Sequence, residues 1–598
     1  MEIIDEDGGM SGRQVSRRAV LAAGAAAGGA AGLAAALGSG GSDGTVFGGI
    51  MVLNEAYNVC GDLYIGPDSA TDDVAAESGR VYMASDTQVE YYGNGGSWVK
   101  MGVGSQSEPV PSVRTDEIGI GPGHEHAKPE NGTKGIQQAI NALPDDGGLV
   151  TLSTGVYAIN NGAQYPGSAI IHGKDNVALV GQGRQTIIRT PDGYTPDGEG
   201  QKVIDFGGVS TDDGNDDYPG FRSKTYVQGG LISNLAIDGN RHNQTPIQDD
   251  TSTSGAKYDG HNIEITGYDC HVRNIWSYGS TGDGVELTSH SEPAQATRNS
   301  VIGCTFRDNW EHCVHVHGSA DTLVVGNVMD GDENNGVLSL SAGDVTYSNV
   351  IILGNIIRNG KEFGVDLSSG RNNAGSANYL LFAYNTVADN ATDGVRIRED
   401  SNRDVWVTNN VIFGNGKQGI HCYAARRVHI YDNDVAKNGE HGIWLTQSID
   451  GATDRPLRDI YVKNNWVYEN NRNGGVKFGI FVQTWEKPAE RIRITGNDVI
   501  SDGTTSLNHT SAIKWNEYDS ATYADLVVRR NFVSGSDRSD EISIDAPALR
   551  LENDGADDFV SYVPVVGDQY LDDGTNTGSG TRGKRVYDGS AWVDAWTV

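Results

Sequence analysis

The chain has 598 residues, of which 81 are glycine, only 16 are proline and 37% are hydrophobic; it exceeds one ordinary domain, and its core has to be long and thin. Its 45 basic and 79 acidic residues leave a formal charge of −34. The acid is spread along the chain with no basic stripe, which excludes nucleic acid as a partner and suits an acidic secreted protein or one kept soluble in high salt.

Residues 1–45 read as an address. Ser16-Arg17-Arg18-Ala19-Val20-Leu21 precedes an Ala/Gly-rich apolar run through Leu37 and a Ser/Gly/Asp linker. This resembles a twin-arginine export signal, which implies a secreted or cell-surface protein. The run is too weakly apolar for stable membrane insertion, and no second stretch of spanning length follows. Residues 46–105 then read as a small β module. Its Tyr92-Gly93-Asn94-Gly95-Gly96-Ser97-Trp98-Val99 is echoed by Tyr587-Asp588-Gly589-Ser590-Ala591-Trp592-Val593, in a second β module over 550–598. Five cysteines at irregular spacing (Cys60, Cys270, Cys304, Cys313, Cys422) make neither a zinc pattern nor a disulfide framework, so buried thiols are expected.

Between the modules, residues 115–545 carry the main fold. Ile136, Ala139, Ile140 and Leu143 share one helical face, which Pro144 ends. Gly148-Leu149-Val150-Thr151-Leu152 and Gly155-Val156-Tyr157 follow as first strands. The insert 239–260 is long enough to wall a cleft or to be a surface loop. From Asn234 to Asn531 one pattern recurs: three strand-like pieces separated by turn residues. The asparagine of the middle piece returns at Asn327, Asn355, Asn385, Asn410, Asn433, Asn465, Asn497 and Asn531, with intervals between 23 and 34 residues. A second asparagine follows five residues later at Asn390, Asn415, Asn438 and Asn470. The third piece reads Gly-aliphatic-x-aliphatic, as in Gly394-Val395-Arg396-Ile397. A period of this size with three β pieces predicts a solenoid: an all-β, right-handed parallel β-helix with an N-terminal helical cap, its asparagines stacked as a hydrogen-bonded ladder. The stretch Asn131–Tyr157 with the later coils resembles the pectate-lyase-like β-helix superfamily, which implies this fold.

The x position faces away from the core. Read coil by coil it gives Glu286, His315, Leu338, Asp366, Arg396, His421, Trp444, Phe481 and Lys514, spaced ~5 Å apart. Ionisable and aromatic groups in one row suit a linear polysaccharide. Two adjacent segments, Thr281-Gly282-Asp283-Gly284 and Glu311-His312-Cys313, are similar to the Asp-Gly and Asp-Asp-Cys segments of polygalacturonases. That resemblance implies Asp283 at the acidic position and Glu311 and His312 at the paired aspartates. It departs from the family where Asn334-Asn335-Gly336 replaces Gly-His-Gly.

Candidate catalytic residues are therefore Asp283, Glu286, Glu311, His312, His315, Asp366, Arg396 and His421. His317, Arg398, Trp444, Phe481 and Lys514 are candidates for substrate binding. Glu286 with Glu311, or Asp366 with Asp393, offers paired carboxyls for glycoside hydrolysis. Arg396 and Arg398 beside His421 offer a uronate clamp and base for β-elimination. The metal question stays open between a His315/His317 pair, Ca²⁺ among Asp212-Asp213 and Asp216-Asp217, and solvated acid. The expectation is a secreted enzyme that cleaves an acidic or decorated polysaccharide by hydrolysis or elimination. The alternatives are a non-catalytic glycan-binding or fibre-like β-helix assembling as a homotrimer, and a uronan epimerase.

Overall fold

The computed structural model describes residues 124–534 apart from segments between strands, among them 207–226 and 245–259, together with separate strands between 44 and 101 and between 542 and 594. Residues 1–43, which carry the export-signal expectation, lie outside the described residues, as do most of the insert, Asp212-Asp213, Asp216-Asp217, Asn334 and Asn335.

From residue 124 onward the chain winds through three parallel sheets in turn. Sheet A has 13 strands from Gly155–Ala158 to Phe532–Ser534; sheet B has 13 from Ala169–His172 to Ile542–Asp545; sheet C has 15 and begins at His124–Ala127. One turn of the coil is Arg403–Thr408 in C, Val411–Phe413 in A and Ile420–Tyr423 in B. The next turn pairs with it residue for residue: Val405 with Val428, Val411 with Asp434 and Ile420 with Ile443. The chain is a right-handed parallel β-helix. Alternate residues of each strand point inward, so Val405, Val407, Ile412, Ile420 and Cys422 of one coil are all fully buried. Inside such a stack the aliphatics of each coil cover those of the next, and burial at ~25 cal/mol/Å² drives the winding.

The asparagines hold the turns. Nδ2 of Asn327 donates to Oδ1 of Asn355, and the same bond runs through Asn385, Asn410, Asn433, Asn465, Asn497 and Asn531 at 2.9–3.1 Å. Each Oδ1 also accepts the backbone N–H of the preceding ladder residue, as Asn410 Oδ1 does from Asn385 at 2.9 Å. A second ladder runs from Asn390 through Asn415 and Asn438 to Asn470, and ends where Asn470 N–H donates to His509 Nε2. The motif glycine is required by this second ladder. A Cβ on Gly394 or Gly419 would lie 2.7 Å from the Nδ2 of Asn415 or Asn438, so any side chain there would break the bond it sits against.

The helix Gly132–Ala142 buries Ile136, Ala139 and Ile140, the face set out by the sequence, and caps the first coils. Among the described residues Cys270, Cys304, Cys313 and Cys422 are buried free thiols; burial pushes Cys270 and Cys304 up to about 12, which keeps them unreactive. No described helix is long and apolar enough to cross a membrane. Two compact units divide the chain at Gly119. The first contains a five-stranded sheet spanning Tyr57–Cys60 to Trp98–Met101. Near the other end, Gln569–Asp572, Gly583–Tyr587 and Trp592–Asp594 form a three-stranded antiparallel sheet.

One register expectation fails. His315 pairs with Ser339, and Ser339 with Asp366, so Ser339 occupies the outward row and Leu338 is in the core at 0% exposure. The coil carries one residue more between its glycine and its strand than the others do, and a slip of one residue in a strand exchanges its faces.

Candidate active site on sheet B

The register of sheet B gives one outward row: Asp205, Glu264, Glu286, His315, Ser339, Asp366, Arg396, His421, Trp444, Phe481, Lys514. A second row, two residues further along each strand, contains Thr288, His317 and Ser341, then Ser368, Arg398 and Tyr423. Two clusters form where these rows meet the turns.

The first cluster centres on Asp283, which has no exposure to solvent. Its Oδ1 accepts the backbone N–H of His312 and a bond from His312 Nδ1, both at 2.9 Å; its Oδ2 lies 3.2 Å from His315 Nδ1. Beside it, Glu286 Oε2 is 3.1 Å from His261 Nε2, and Glu286 Oε1 is 3.6 Å from Nδ1 of both His315 and His317. The Asp283 backbone N–H donates to His261 Nδ1 at 3.0 Å, which leaves Nε2 as the nitrogen that carries the proton toward Glu286. Lys202 Nζ reaches Glu264 at 2.6 Å and completes the coil below.

Burial alone would push these carboxyls up, and the imidazoles overcome it. His312 and His315 hold Asp283 well below the usual carboxylate range, while His261, His317 and His315 hold Glu286 at about 2. His315 is the reciprocal case: burial lowers its affinity for a proton, but Asp283, Glu286 and Glu311 raise it to about 9. His315 is thus an imidazolium near neutral pH, with Nε2 held by Ser341 Oγ at 2.9 Å. His317 stacks on His315 at 5.3 Å and is the most exposed of the four rings, its side chain 34% accessible.

The second cluster lies three to four coils further along. Asp366 is taken by the guanidinium of Arg398, and Asp393 Oδ2 by His421 Nδ1 at 2.9 Å. Arg396 packs over the Phe363 ring at 4.6 Å and donates to Tyr423 Oη at 3.3 Å. His421 stacks against Trp444 with ring centroids 4.4 Å apart.

These contacts correct several expectations. The Asp366–Asp393 pair does not fit glycoside hydrolysis, since each carboxyl is committed to a cation or an imidazole, and Glu286, held at about 2, is no general acid. Glu311 is only half buried at the rim of the first cluster. Phe481, 5% exposed, packs against Phe478 and His441 and offers no free face to a sugar; Trp444 has one face against His421 and the other toward Phe481. Arg398 serves Asp366 and does not act as a free clamp. His261, Glu264 and Lys202 were not anticipated, since the early coils lack the glycine that flags the outward row, and Tyr423 was not because it stands in the second row, two residues past the flagged position.

Two groups bring possible metal ligands within 4.8 Å of one another, Asp283/His312/His315 and His261/Glu264/Glu286. Their direct hydrogen bonds, the backbone N–H on His261 Nδ1 and the Lys202 ammonium on Glu264 already supply the partners that a cation would supply, so the groups read as a proton network. An open depression of about 860 Å³ on the outer face of sheet A is lined by Arg184, His242, Trp276 and Asp308, but Asp308 is already paired with Arg241 and His242 there.

A family model described as a right handed beta helix region matches residues 225–380 and again 373–516. Among curated proteins, mannuronan C5-epimerase AlgE1 of Azotobacter vinelandii is 26% identical over 270 residues, 44% of this chain and 17% of that protein. A mannuronan C5-epimerase of Pseudomonas putida is 27% identical over 163 residues, 27% of this chain and 29% of that protein. The chain thus spans less than a third of the length of either relative. Of solved structures, the A-module of the A. vinelandii mannuronan C-5 epimerase AlgE4 aligns with a TM-score of 0.37 at 18% identity, covering 70% of this chain and 94% of that one. The periplasmic alginate epimerase AlgG aligns with a TM-score of 0.33 at 13% identity, covering 64% and 76%.

Proposed function

We propose that the protein modifies a uronic-acid polysaccharide by removing the proton beside the sugar carboxylate and returning one to the opposite face, a C5-epimerisation. The observation that carries this reading is the first cluster. Two buried carboxylates on one coil are in direct contact with three imidazoles on the next, an arrangement that sets apart a group kept protonated from groups kept ionised. The curated relatives that align with 44% and 27% of the chain are mannuronan C5-epimerases, which favours this outcome over the cleavage expected from sequence.

A proton next to a carboxylate leaves only if the carboxylate charge is neutralised and a base stands over the C–H bond. His315, kept as imidazolium by Asp283 and Glu286, supplies positive charge under the substrate carboxylate, which it meets through the Ser341 hydroxyl held on its Nε2. His317, half-buried at the sheet surface with Nδ1 turned toward Glu286, takes the C5 proton on its other nitrogen. The C5–H bond breaks, an N–H bond forms on His317, and the electron pair is held on the carboxylate until water on the far face gives C5 a proton; the hydroxide left behind takes the proton from His317. If the glycosidic oxygen at C4 left first, the same abstraction would end in β-elimination.

The test is incubation of the full chain with polymannuronate in D₂O. The expected result is deuterium at C5 and guluronate signals by NMR, without new reducing ends or unsaturated uronate. Unsaturated ends without deuterium at C5, a carbon that keeps no hydrogen after elimination, would replace the reading with a lyase; reducing ends with neither deuterium nor unsaturation would replace it with a hydrolase.

A further inference from the structure

Three nitrogens on consecutive coils of sheet B stand out from an otherwise well-bonded outward row. Arg396, His421 and Trp444 are in direct register. Arg396 Nε, His421 Nε2 and Trp444 Nε1 are all out of contact with solvent, and none has a hydrogen-bond partner among the described residues. Other buried side-chain atoms also lack a partner, Trp276 Nε1 and Thr288 Oγ1 among them, but these three stand in one row on adjoining coils, and a donor left bare in a protein interior costs free energy. His421 itself is 6% exposed and fixed: Asp393 takes the proton on Nδ1, and Trp444 covers one ring face. Arg396 is aimed by Phe363 below and Tyr423 beside it, while its nearest carboxylate, Asp393, stays 3.9 Å from Nε. Asp366, the other carboxylate of the cluster, is already committed to Arg398.

We propose that Arg396, His421 and Trp444 form a subsite for a sugar carboxylate, separate from the Asp283 cluster and occupied by the same polymer. A carboxylate has two oxygens with several lone pairs and is charge-matched to the guanidinium, so it can accept from Arg396 Nε and Trp444 Nε1 together. His421 lies between them in the row, its ring fixed by Asp393 on one side and Trp444 on the other. Four coils separate His315 from His421, ~19 Å by strand spacing alone, so one chain of several sugars spans both places. The proposal rests on the polyuronate reading above for the identity of the anion. Its consequence is a dependence on chain length: a short oligomer fills the Asp283 cluster without reaching Arg396.

Binding of a mannuronate decamer, a mannuronate trimer and a carboxyl-reduced decamer to the full chain is measured by calorimetry, for the wild type and for Arg396→Gln and Trp444→Phe. The wild type should bind the decamer more tightly than the trimer and discriminate against the reduced decamer. Arg396→Gln should weaken decamer binding about tenfold, the loss of one charge-assisted bond, and so remove most of the gain from trimer to decamer. Trp444→Phe, which keeps the ring stack and deletes only the N–H, should give a smaller loss in the same direction, and serves if Arg396→Gln does not fold. Equal weakening of trimer and decamer, or no weakening of either, overturns the subsite. Turnover separates the two readings: decamer binding that depends on Arg396 without any C5 exchange sinks the epimerase and keeps the subsite, whereas C5 exchange with binding indifferent to Arg396 does the reverse.

Discussion

Raising the pH should loosen the first cluster before it affects the rest of the molecule. His315 is held at about 9 against 6.5 for a free imidazole. A folded-state value above the unfolded one means stability that is fully present below pH 6.5, falls as pH rises through the window, and is gone above about 9. The difference between those values, at 1.36 kcal/mol per unit, corresponds to about 3 kcal/mol for this side chain, whose ring is 16% exposed. Glu286, held at about 2 against 4.5, is the acid end of the same interaction: its share is present above pH 4.5 and is lost as pH falls toward 2, and it is not added to that of His315. The assay is urea unfolding of wild type and His315→Gln at intervals from pH 6 to 9.5. The wild-type advantage should shrink by about 3 kcal/mol across that range. His271 and His509, lowered by burial to about 4, and His441, lowered to about 3, stay neutral throughout and do not contribute. A gap between the two proteins that stays constant with pH would refute the charge assignment.

His317→Gln should lower kcat on polymannuronate by ~10²–10⁴ while the melting temperature holds, as loss of a general base does; retention of more than a tenth of the rate moves the base elsewhere. Asn410→Ala should cost ~2–6 kcal/mol, because the Asn385 N–H and the Phe382 carbonyl both lose a buried partner and a methyl replaces neither; slowed hydrogen exchange at Asn385 would argue the opposite. Tyr384 sits at φ 56° and is 55% exposed, in a left-handed conformation that bulky residues resist. Tyr384→Asn should therefore stabilise the coil by ~0.5–1 kcal/mol in thermal unfolding, and a destabilised variant would mean that the tyrosine packs against something.

The fold was readable because a β-helix writes its geometry into the sequence once per coil. Asn410 is recognisable not from its neighbours but because Asn385 and Asn433 stand in the same place in adjoining repeats, and the hydrogen bonds join those same three. The motif glycine reports the second ladder in the same way, since Gly394 and Gly419 are glycines for want of room beside Asn415 and Asn438. The site was less readable, for two reasons. In the early coils Asn262-Ile263-Glu264-Ile265 and Val203-Ile204-Asp205-Phe206 have no glycine in front of them, so Glu264 and Asp205 carried no marker. And outward placement says nothing about engagement: Asp366 and Arg398 were both visible as outward charges, but that they neutralise each other depends on two rows meeting at the right height, which no single repeat encodes.

The two clusters differ in a way that matters more than their composition. Around Asp283 every carboxylate oxygen that faces an imidazole is paired, and the charges are fixed in advance; such a place can hold and move protons but does not need a ligand to be complete. Around His421 three nitrogens in register are left bare, and the N–H groups of Arg396 and Trp444 among them are completed only by an added acceptor. A solenoid is well suited to keeping these two kinds of place apart, because its coils are locked one to the next by the Asn327–Asn531 ladder and each adds the same rise. The separation between them is then a count of coils rather than the accident of a loop, and a polymer of regular repeat is the kind of ligand that can match a count.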